Sequence, residues 1–273
     1  MAEQQTIVIT GASDGIGAAA AGQLQALGHR VVLVGRSPEK TAAVAQRLDA
    51  PSHVADFADL DQVRGLATEL LAAHPRIDVL ANNAGGLFGQ ESTKNGFDKT
   101  FQVNHLAPFL LTHLLMDRIV ESRASVIQTS SAAHRLFGHL DLDDLGNARS
   151  WSANKAYGDG KLANVLFTRE LHRRFHDKGV NAVAFHPGVI ATNFANDTSS
   201  LMRFVYRTPL ARLLTGVESG GGRLTRLAAG IPGTTWEPGR YYENDRVGKI
   251  NPQVKDDALA RGLWERSEAL LGL

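Results

Sequence analysis

The chain has 273 residues, 29 Lys and Arg against 28 Asp and Glu, a formal net charge of +1 and no cysteine. So even a balance gives no electrostatic case for nucleic acid or an acidic membrane surface, and the missing thiols exclude disulfides, thiolate catalysis and cysteine–zinc sites. The polar start Met1–Gln5 shows no signal peptide, and no apolar run approaches the ~20 residues that span a bilayer, so a cytoplasmic protein without membrane attachment is expected.

Thr6–Thr10 (TIVIT) reads as a buried parallel strand. Gly11–Gly17 follows, then the helix-forming run Ala18–Leu27, closed by Gly28. Arg30–Val34 reads as a second strand ending at Gly35-Arg36, after which Ser37 caps and Pro38 opens a helix to about Leu48. Ser52–Ala55 is a weak third strand and Asp59–His74 an amphipathic helix. Val79–Ala81 is a strand broken at Asn82-Asn83-Ala84-Gly85, and Phe97–Ile119 has helical periodicity with Pro108 as an expected kink. Then come a strand at Ser125–Thr129, a polar loop insertion at Leu136–Ser150, a helix at Ala153–Phe175 and a strand at Val180–Phe185, stopped by His186-Pro187-Gly188. Ile190–Thr215 has no steady period. Val217–Ala229 reads as helix despite Gly220-Gly221-Gly222, Arg240–Tyr242 as a last strand and Asp256–Leu271 as a terminal helix.

Strands alternate with helices through residue 185, which predicts an α/β fold: a doubly wound parallel sheet with helices on both faces. The expected organisation is one domain, 1–273. Within it, 6–188 form a cofactor-binding and catalytic core, 189–232 a substrate loop or lid, and 233–273 a C-terminal strand and helix.

Two local patterns carry chemistry. Thr10-Gly11-Ala12-Ser13-Asp14-Gly15-Ile16-Gly17 joins the first strand to a helix, where glycines let a phosphate approach the backbone and the helix N-terminus favours an anion. An acid that would bind a ribose 2′-hydroxyl belongs at the end of the second strand. Gly35 and Arg36 stand there instead, which favours a 2′-phosphate, hence NADP(H) over NAD(H). Asp14 is a mild electrostatic objection, and Asp56 is placed to accept from an adenine amino group. In the second pattern Tyr157 and Lys161 stand four apart on one helix face, so a cation adjoins a phenol and should lower its pKa toward acid/base use. The same spacing also fits an amphipathic helix with an exposed Tyr and a snorkelling Lys.

The ordered set Thr10–Gly17, Asn82-Asn83-Ala84-Gly85, Asn104 in FQVNHLAPFLLT, Ser130-Ser131, Tyr157-x-x-x-Lys161 and Pro187-Gly188 resembles the short-chain dehydrogenase/reductase superfamily. VNHLAPFLLT, SSAAH, KLANVLFTREL and HPGVIAT are similar to its retinol dehydrogenase-like branch. The resemblance implies a Rossmann-type domain and a reversible hydride transfer between a nicotinamide and a carbonyl or alcohol group of a small, apolar substrate. It implies Tyr157 as general acid or base, Lys161 as its pKa-lowering partner and nicotinamide-ribose ligand, Ser131 as the polarising hydroxyl and Asn104 as a support for a relay water. Ser130 is then a structural hydroxyl. Cofactor contacts are implied for Gly11, Ser13, Asp14, Gly15, Ile16, Gly17, Arg36, Asp56, Phe57, Asn83, Ala84, Gly85, Thr129, Tyr157, Lys161, Pro187, Gly188, Val189, Ile190 and Thr192. No metal is expected. His105, His134 and His186 are read as local hydrogen-bonding residues.

By the same analogy a homodimer or homotetramer would pair through Phe97–Ile119 and Ala153–Phe175. Two features depart from the branch: Gly158-Asp159-Gly160 separates Tyr157 from Lys161, and no membrane anchor is seen. Rival readings are an NAD(H) dehydrogenase of the same family, a nucleotide-binding regulator without turnover, and a lyase or epimerase on the same fold.

Overall fold

The computed structural model describes residues 3–188 and 216–273. Eight strands form one sheet in the order β3-β2-β1-β4-β5-β6-β7-β8. They are β1 (Thr6–Thr10), β2 (Arg30–Gly35), β3 (Ser52–Val54), β4 (Val79–Asn82), β5 (Ser125–Thr129), β6 (Asn181–His186), β7 (Tyr241–Glu243) and β8 (Arg246–Val247). All neighbours through β7 are parallel, while β7 and β8 form an antiparallel hairpin that the sequence reading does not anticipate. Parallel strands buried on both faces need apolar residues at every position, and RVVLVG in β2 is buried from its second residue on.

Successive strand residues enter two cores. Val8, Val32, Leu80, Val126 and Ala182 face one; Ile7, Ile9, Val31, Leu33, Ala81 and Ile127 face the other. The second core is closed by α1 (Gly15–Ala26), α2 (Pro38–Leu48) and, after the undescribed residues, α9 (Val217–Ala228). In α9 the glycine run is the crossing point with α1: a Cβ on Gly221 would lie 2.8 Å from Ala19 Cβ and 3.0 Å from Ala20 N. This helix therefore belongs to the layer covering the sheet. It occupies 217–228 of the stretch expected as a substrate loop or lid, and residues 189–215 of that stretch lie outside the described residues.

The first core is closed by α3 (Leu60–Ala73), α5 (Ala107–Leu114), α8 (Ala153–Phe175) and α10 (Asp257–Leu271). The helix expected over Phe97–Ile119 is divided into α4 (Lys99–Phe101), a π turn Gln102–Leu106, α5 and α6 (Met116–Glu121). Its irregularity precedes Pro108. Proline offers Asn104 no N–H, and the Ala107 N–H bonds the Gln102 carbonyl one residue further back than an α-helix would. A one-turn helix, α7 (Ala133–Leu136), follows β5.

The terminal helix α10 lies across α5 and α8. Trp264 stacks on Phe167 with centroids 5.6 Å apart and meets Phe109 edge-on at 4.9 Å. His105 Nε2 lies 2.8 Å from Ser267 Oγ, which itself donates to the Leu263 carbonyl. The face named for subunit pairing is thus partly covered by the chain's own C-terminus.

Candidate active site

The strand order reverses at β1 and β4, and the loops leaving the carboxyl ends of β1, β4, β5 and β6 meet there. Four sequence-distant motifs are gathered by this geometry. The turn after β1 opens α1 with Asp14 as its N-cap, accepting from Gly15 N at 2.8 Å. Thr10 and Asn83 lock that turn to the loop after β4. Thr10 Oγ1 accepts from Asn83 N and Ala84 N, both at 3.0 Å, and Asn83 Nδ2 donates to the Thr10 carbonyl at 3.0 Å. Thr129 Oγ1 then donates to Asn83 Oδ1 at 3.2 Å, which joins β5 to the same lattice.

Asn104 is held by the π turn with its amide fully engaged: Nδ2 donates to the Gly86 carbonyl at 2.7 Å and the Thr100 carbonyl at 2.8 Å, and Oδ1 accepts from Gly86 N at 3.3 Å. Tyr157 and Lys161 lie on α8, capped by Ser152, whose side chain accepts from Lys155 N. Lys161 is buried, its Nζ donates to the Thr129 carbonyl at 3.0 Å, and it stands 5.5 Å from the centre of the Tyr157 ring. Ser131 shares a side-chain hydrogen bond with Tyr157. Ser130, by contrast, points away and donates to the Lys161 carbonyl at 2.7 Å.

Burial dominates the titration of both α8 groups. It pushes the Tyr157 phenol up to about 12, against the Ser131 hydrogen bond that pulls it down, and it pulls the Lys161 ammonium down to about 7. In the protein alone, loss of water is the dominant influence on the phenol. The phenol is a proton donor at neutral pH.

The residues fit a nucleotide. A Cβ on Gly85 would lie 2.7 Å from Asn104 Oδ1 and 3.0 Å from Lys161 Nζ, so the site's back wall is open only because that residue has no side chain. Gly35 is equally constrained, since a Cβ there would meet Ser13 Cβ at 2.7 Å; an acid at this position would displace the turn. Arg36 is exposed beside it. Asp14 is paired with Lys40 at 3.1 Å, and this hydrogen bond, with that from Gly15 N, holds its carboxyl below the usual range. Lys40 is missing from the sequence reading, although a cation in the first turn after the Gly35-Arg36 strand end is a legible signal. Asp56 accepts from Ala58 N at 2.9 Å. Phe57 follows it with its side chain buried in the core and its carbonyl accepting from Gln102 Nε2, so a cofactor contact there would be made by backbone. Pro187 and Gly188 end the described β6 loop; Val189, Ile190 and Thr192 lie outside the described residues.

The glycines flanking Asp159 have a physical reason. A Cβ on Gly158 would lie 2.6 Å from Phe137 C and 2.7 Å from Gly138 N, and one on Gly160 3.1 Å from Asn104 Cβ. The start of the loop insertion thus lies on the catalytic helix. Asp159 clamps it, accepting from His139 N at 2.6 Å, while Lys155 Nζ bonds both Asp159 (2.6 Å) and the His139 carbonyl (3.0 Å). The histidine reading overlooks one spacing: His172 and His176 form an H-x-x-x-H pair, their rings tilted to each other with centroids 4.4 Å apart.

A family model described as short chain dehydrogenase matches residues 5–202. The chain belongs to the short-chain dehydrogenase/reductase family. It is an oxidoreductase of the carbonyl/alcohol couple that uses a nicotinamide cofactor. A Streptomyces protein described as a candidate daunorubicin C-13 ketoreductase is 41% identical over 98% of this chain and 93% of its own length. Human retinol dehydrogenase 13 is 35% identical over 98% of this chain and 85% of its own. Among solved structures, an uncharacterised protein of Mycobacterium paratuberculosis superposes with a TM-score of 0.79 at 30% identity, covering 98% of this chain and 94% of that one. A metagenomic short-chain oxidoreductase in complex with NADP gives 0.62 at 27% identity, covering 83% and 91%. No helix among the described residues is long and apolar enough to cross a membrane.

Proposed function

We propose that this family member transfers hydride between NADP(H) and the carbonyl or alcohol carbon of a small, apolar substrate, with Ser131, Tyr157 and Lys161 as the catalytic residues. The observation that carries the reading is that Ser131 bonds Tyr157 and Lys161 lies against the Tyr157 ring, while Gly85 keeps open the space beside Lys161 Nζ and Asn104. A bound nicotinamide supplies or accepts the hydride. Ser131 holds the substrate oxygen, and Tyr157, protonated at neutral pH, gives it a proton in reduction. Lys161 binds the nicotinamide ribose and, when charged, favours departure of the phenolic proton. With the Asn104 amide consumed by backbone partners, a relay water would use the Asn104 carbonyl, to which Pro108 offers no N–H. NADP(H) is favoured over NAD(H) by the crowded Gly35, the exposed Arg36 and the neutralisation of Asp14 by Lys40. The relative described as a ketoreductase supports a ketone as the reducible group.

The test is direct. Purified protein with NADPH and a panel of aldehydes and ketones should show loss of nicotinamide absorbance, and Tyr157→Phe should cut the rate by about 10²–10⁴-fold, the usual worth of a general acid. Full activity in that variant would sink the assignment. Cofactor binding without turnover would favour a regulator, and product formed without net change in the cofactor would favour a lyase or epimerase.

A further inference from the structure

We infer that His134 is a positioning residue for the reaction proposed above: its ring, braced by Asn251, fixes the Ser131 backbone and so aims the Ser131 hydroxyl at Tyr157. The inference rests on that functional reading. His134 lies on α7, three residues beyond Ser131, and is completely buried. Its Nδ1 is 2.6 Å from the Ser131 carbonyl oxygen and its Nε2 is 3.4 Å from Asn251 N. A backbone N–H only donates, so Nε2 must accept. In the neutral ring the proton is then on Nδ1, which donates to Ser131. One tautomer satisfies both bonds.

The neutral state is itself held in place. Burial pulls the imidazole below its ordinary pKa, with the Ser131 carbonyl opposing and the nearby charges Arg135 and Glu243 acting in opposite senses. The ring also meets the buried Tyr241 of β7 edge-on at 4.5 Å. Protonation would turn Nε2 into a donor facing a donor.

Asn251 is equally committed. Its Nδ2 donates to the His134 carbonyl at 2.9 Å and the Gly138 carbonyl at 2.8 Å, and its Oδ1 accepts from Gln253 N at 2.9 Å. Gln253 in turn brackets Leu140, donating to its carbonyl and accepting from its N–H, both at 2.9 Å. One short segment near the C-terminus therefore grips the chain from Ser131 to Leu140. Ser131 Oγ sits at the start of that span, accepting from Ala133 N at 3.2 Å. A rotation of the peptide after Ser131 would swing the hydroxyl away from the phenol; the His134 N–H, donating to the Ser131 carbonyl at 3.1 Å, opposes it in part, and the shorter ring bond at 2.6 Å adds the restraint that the side chain supplies. His134 itself is not assigned any contact with substrate or cofactor.

Three substitutions separate positioning from packing. His134→Asn puts an amide N–H near the place of Nδ1 and can still donate to Ser131. His134→Gln reaches toward Asn251 without the Ser131 bond, and His134→Phe keeps the ring against Tyr241 with neither bond. For ketone reduction by NADPH, the Gln and Phe variants should lose about 10–100-fold in kcat, as misplacement of a reacting group does. NADPH affinity should hold, and the Asn variant should recover most of the rate. Wild-type kcat in the Gln and Phe variants, or a loss in the Asn variant equal to that in Phe, overturns the inference. Should the His134 variants fail to fold, Asn251→Ala releases the brace from its far end. It should lower kcat at constant NADPH affinity, and an unchanged kcat would equally overturn the role. A wild-type protein that binds NADPH but reduces nothing defeats the functional reading itself, and the role of His134 with it.

Discussion

Lys161 and Tyr157 titrate in opposite directions because one environment acts on groups of opposite charge type: the charged form of each is the one that burial disfavours. Lys161 carries its charge below about 7 and loses it above, whereas Tyr157 keeps its proton to about 12. Carbonyl reduction should therefore hold steady below about pH 7 and fall as pH rises through it, up to about tenfold per unit. The measurement is kcat for reduction at saturating NADPH; a flat profile through neutrality would remove the Lys161 charge from the chemistry. At the other end of the site, Arg36→Ala should raise the KM for NADPH by about tenfold or more, the worth of a charge-assisted hydrogen bond. The KM for NADH should stay nearly constant, and equal losses for both cofactors would deny Arg36 its phosphate. These residues were legible because their chemistry is written in short spacings: Tyr-x-x-x-Lys, a glycine turn, a strand end without an acid. Lys40 stands within reach of the same reading, as a cation one turn past that strand end, and His134 was read only as a local hydrogen-bonding residue; Asn251 was not legible, since it acts on partners that only the fold brings near.

The catalytic helix α8 shows what an element adds to its residues. Its boundaries Ala153–Phe175 follow from periodicity and the Ser152 cap, but Gly158 and Gly160 have no meaning along the sequence. They gain one only where the 137–138 segment and the π turn cross the helix. The two sites should respond differently to the same change. Alanine gains about 1 kcal/mol of helix propensity at either position. At Gly158 the new Cβ would sit 2.6–2.8 Å from atoms of Phe137 and Gly138, two of them backbone, an overpacking that costs about 1–3 kcal/mol. At Gly160 the nearest atom is the Asn104 Cβ, at 3.1 Å. Gly158→Ala should thus lower the urea midpoint while Gly160→Ala leaves it nearly unchanged; the reverse order would refute the docking of the insertion on α8. The π turn was hidden for a related reason. A shift from i→i+4 to i→i+5 bonding leaves the apolar pattern of Phe97–Ile119 almost intact, and Pro108 marks the disturbance without giving its form.

In the whole molecule the two cores differ in how they are closed. The doubly wound parallel sheet was legible, because alternating strands and helices admit few parallel topologies. The seat of α10 was not: an amphipathic terminal helix does not say which groove it fills. Leu263, Trp264 and Leu271 are buried there, at about 2 kcal/mol each, which is a large share of the ~5–15 kcal/mol that holds a domain folded. A chain ending before Asp257 should therefore unfold or self-associate at room temperature, as light scattering and near-UV circular dichroism would reveal. His105, beneath α10, gives the fold an acid limit. Burial pulls its pKa from the ordinary 6.5 of an unconstrained ring to about 3. The unfolded chain thus binds the proton first. Stability is fully present above about pH 6.5 and drains by up to ~1.4 kcal/mol per unit toward about 3. Thermal melts at descending pH would show it, and His105→Gln should blunt the slope. The cover on α8 also sets when the protein can be finished. Arg64 of α3 bonds the carbonyl of Leu271 at 2.7 Å, across 207 residues of chain, so the back of the catalytic helix stays open to water until α10 has been made. A nascent chain still held by the ribosome already contains every residue assigned to the chemistry, with an aromatic flank that nothing yet covers. The frame of the site is complete only once α10 has been made and has docked.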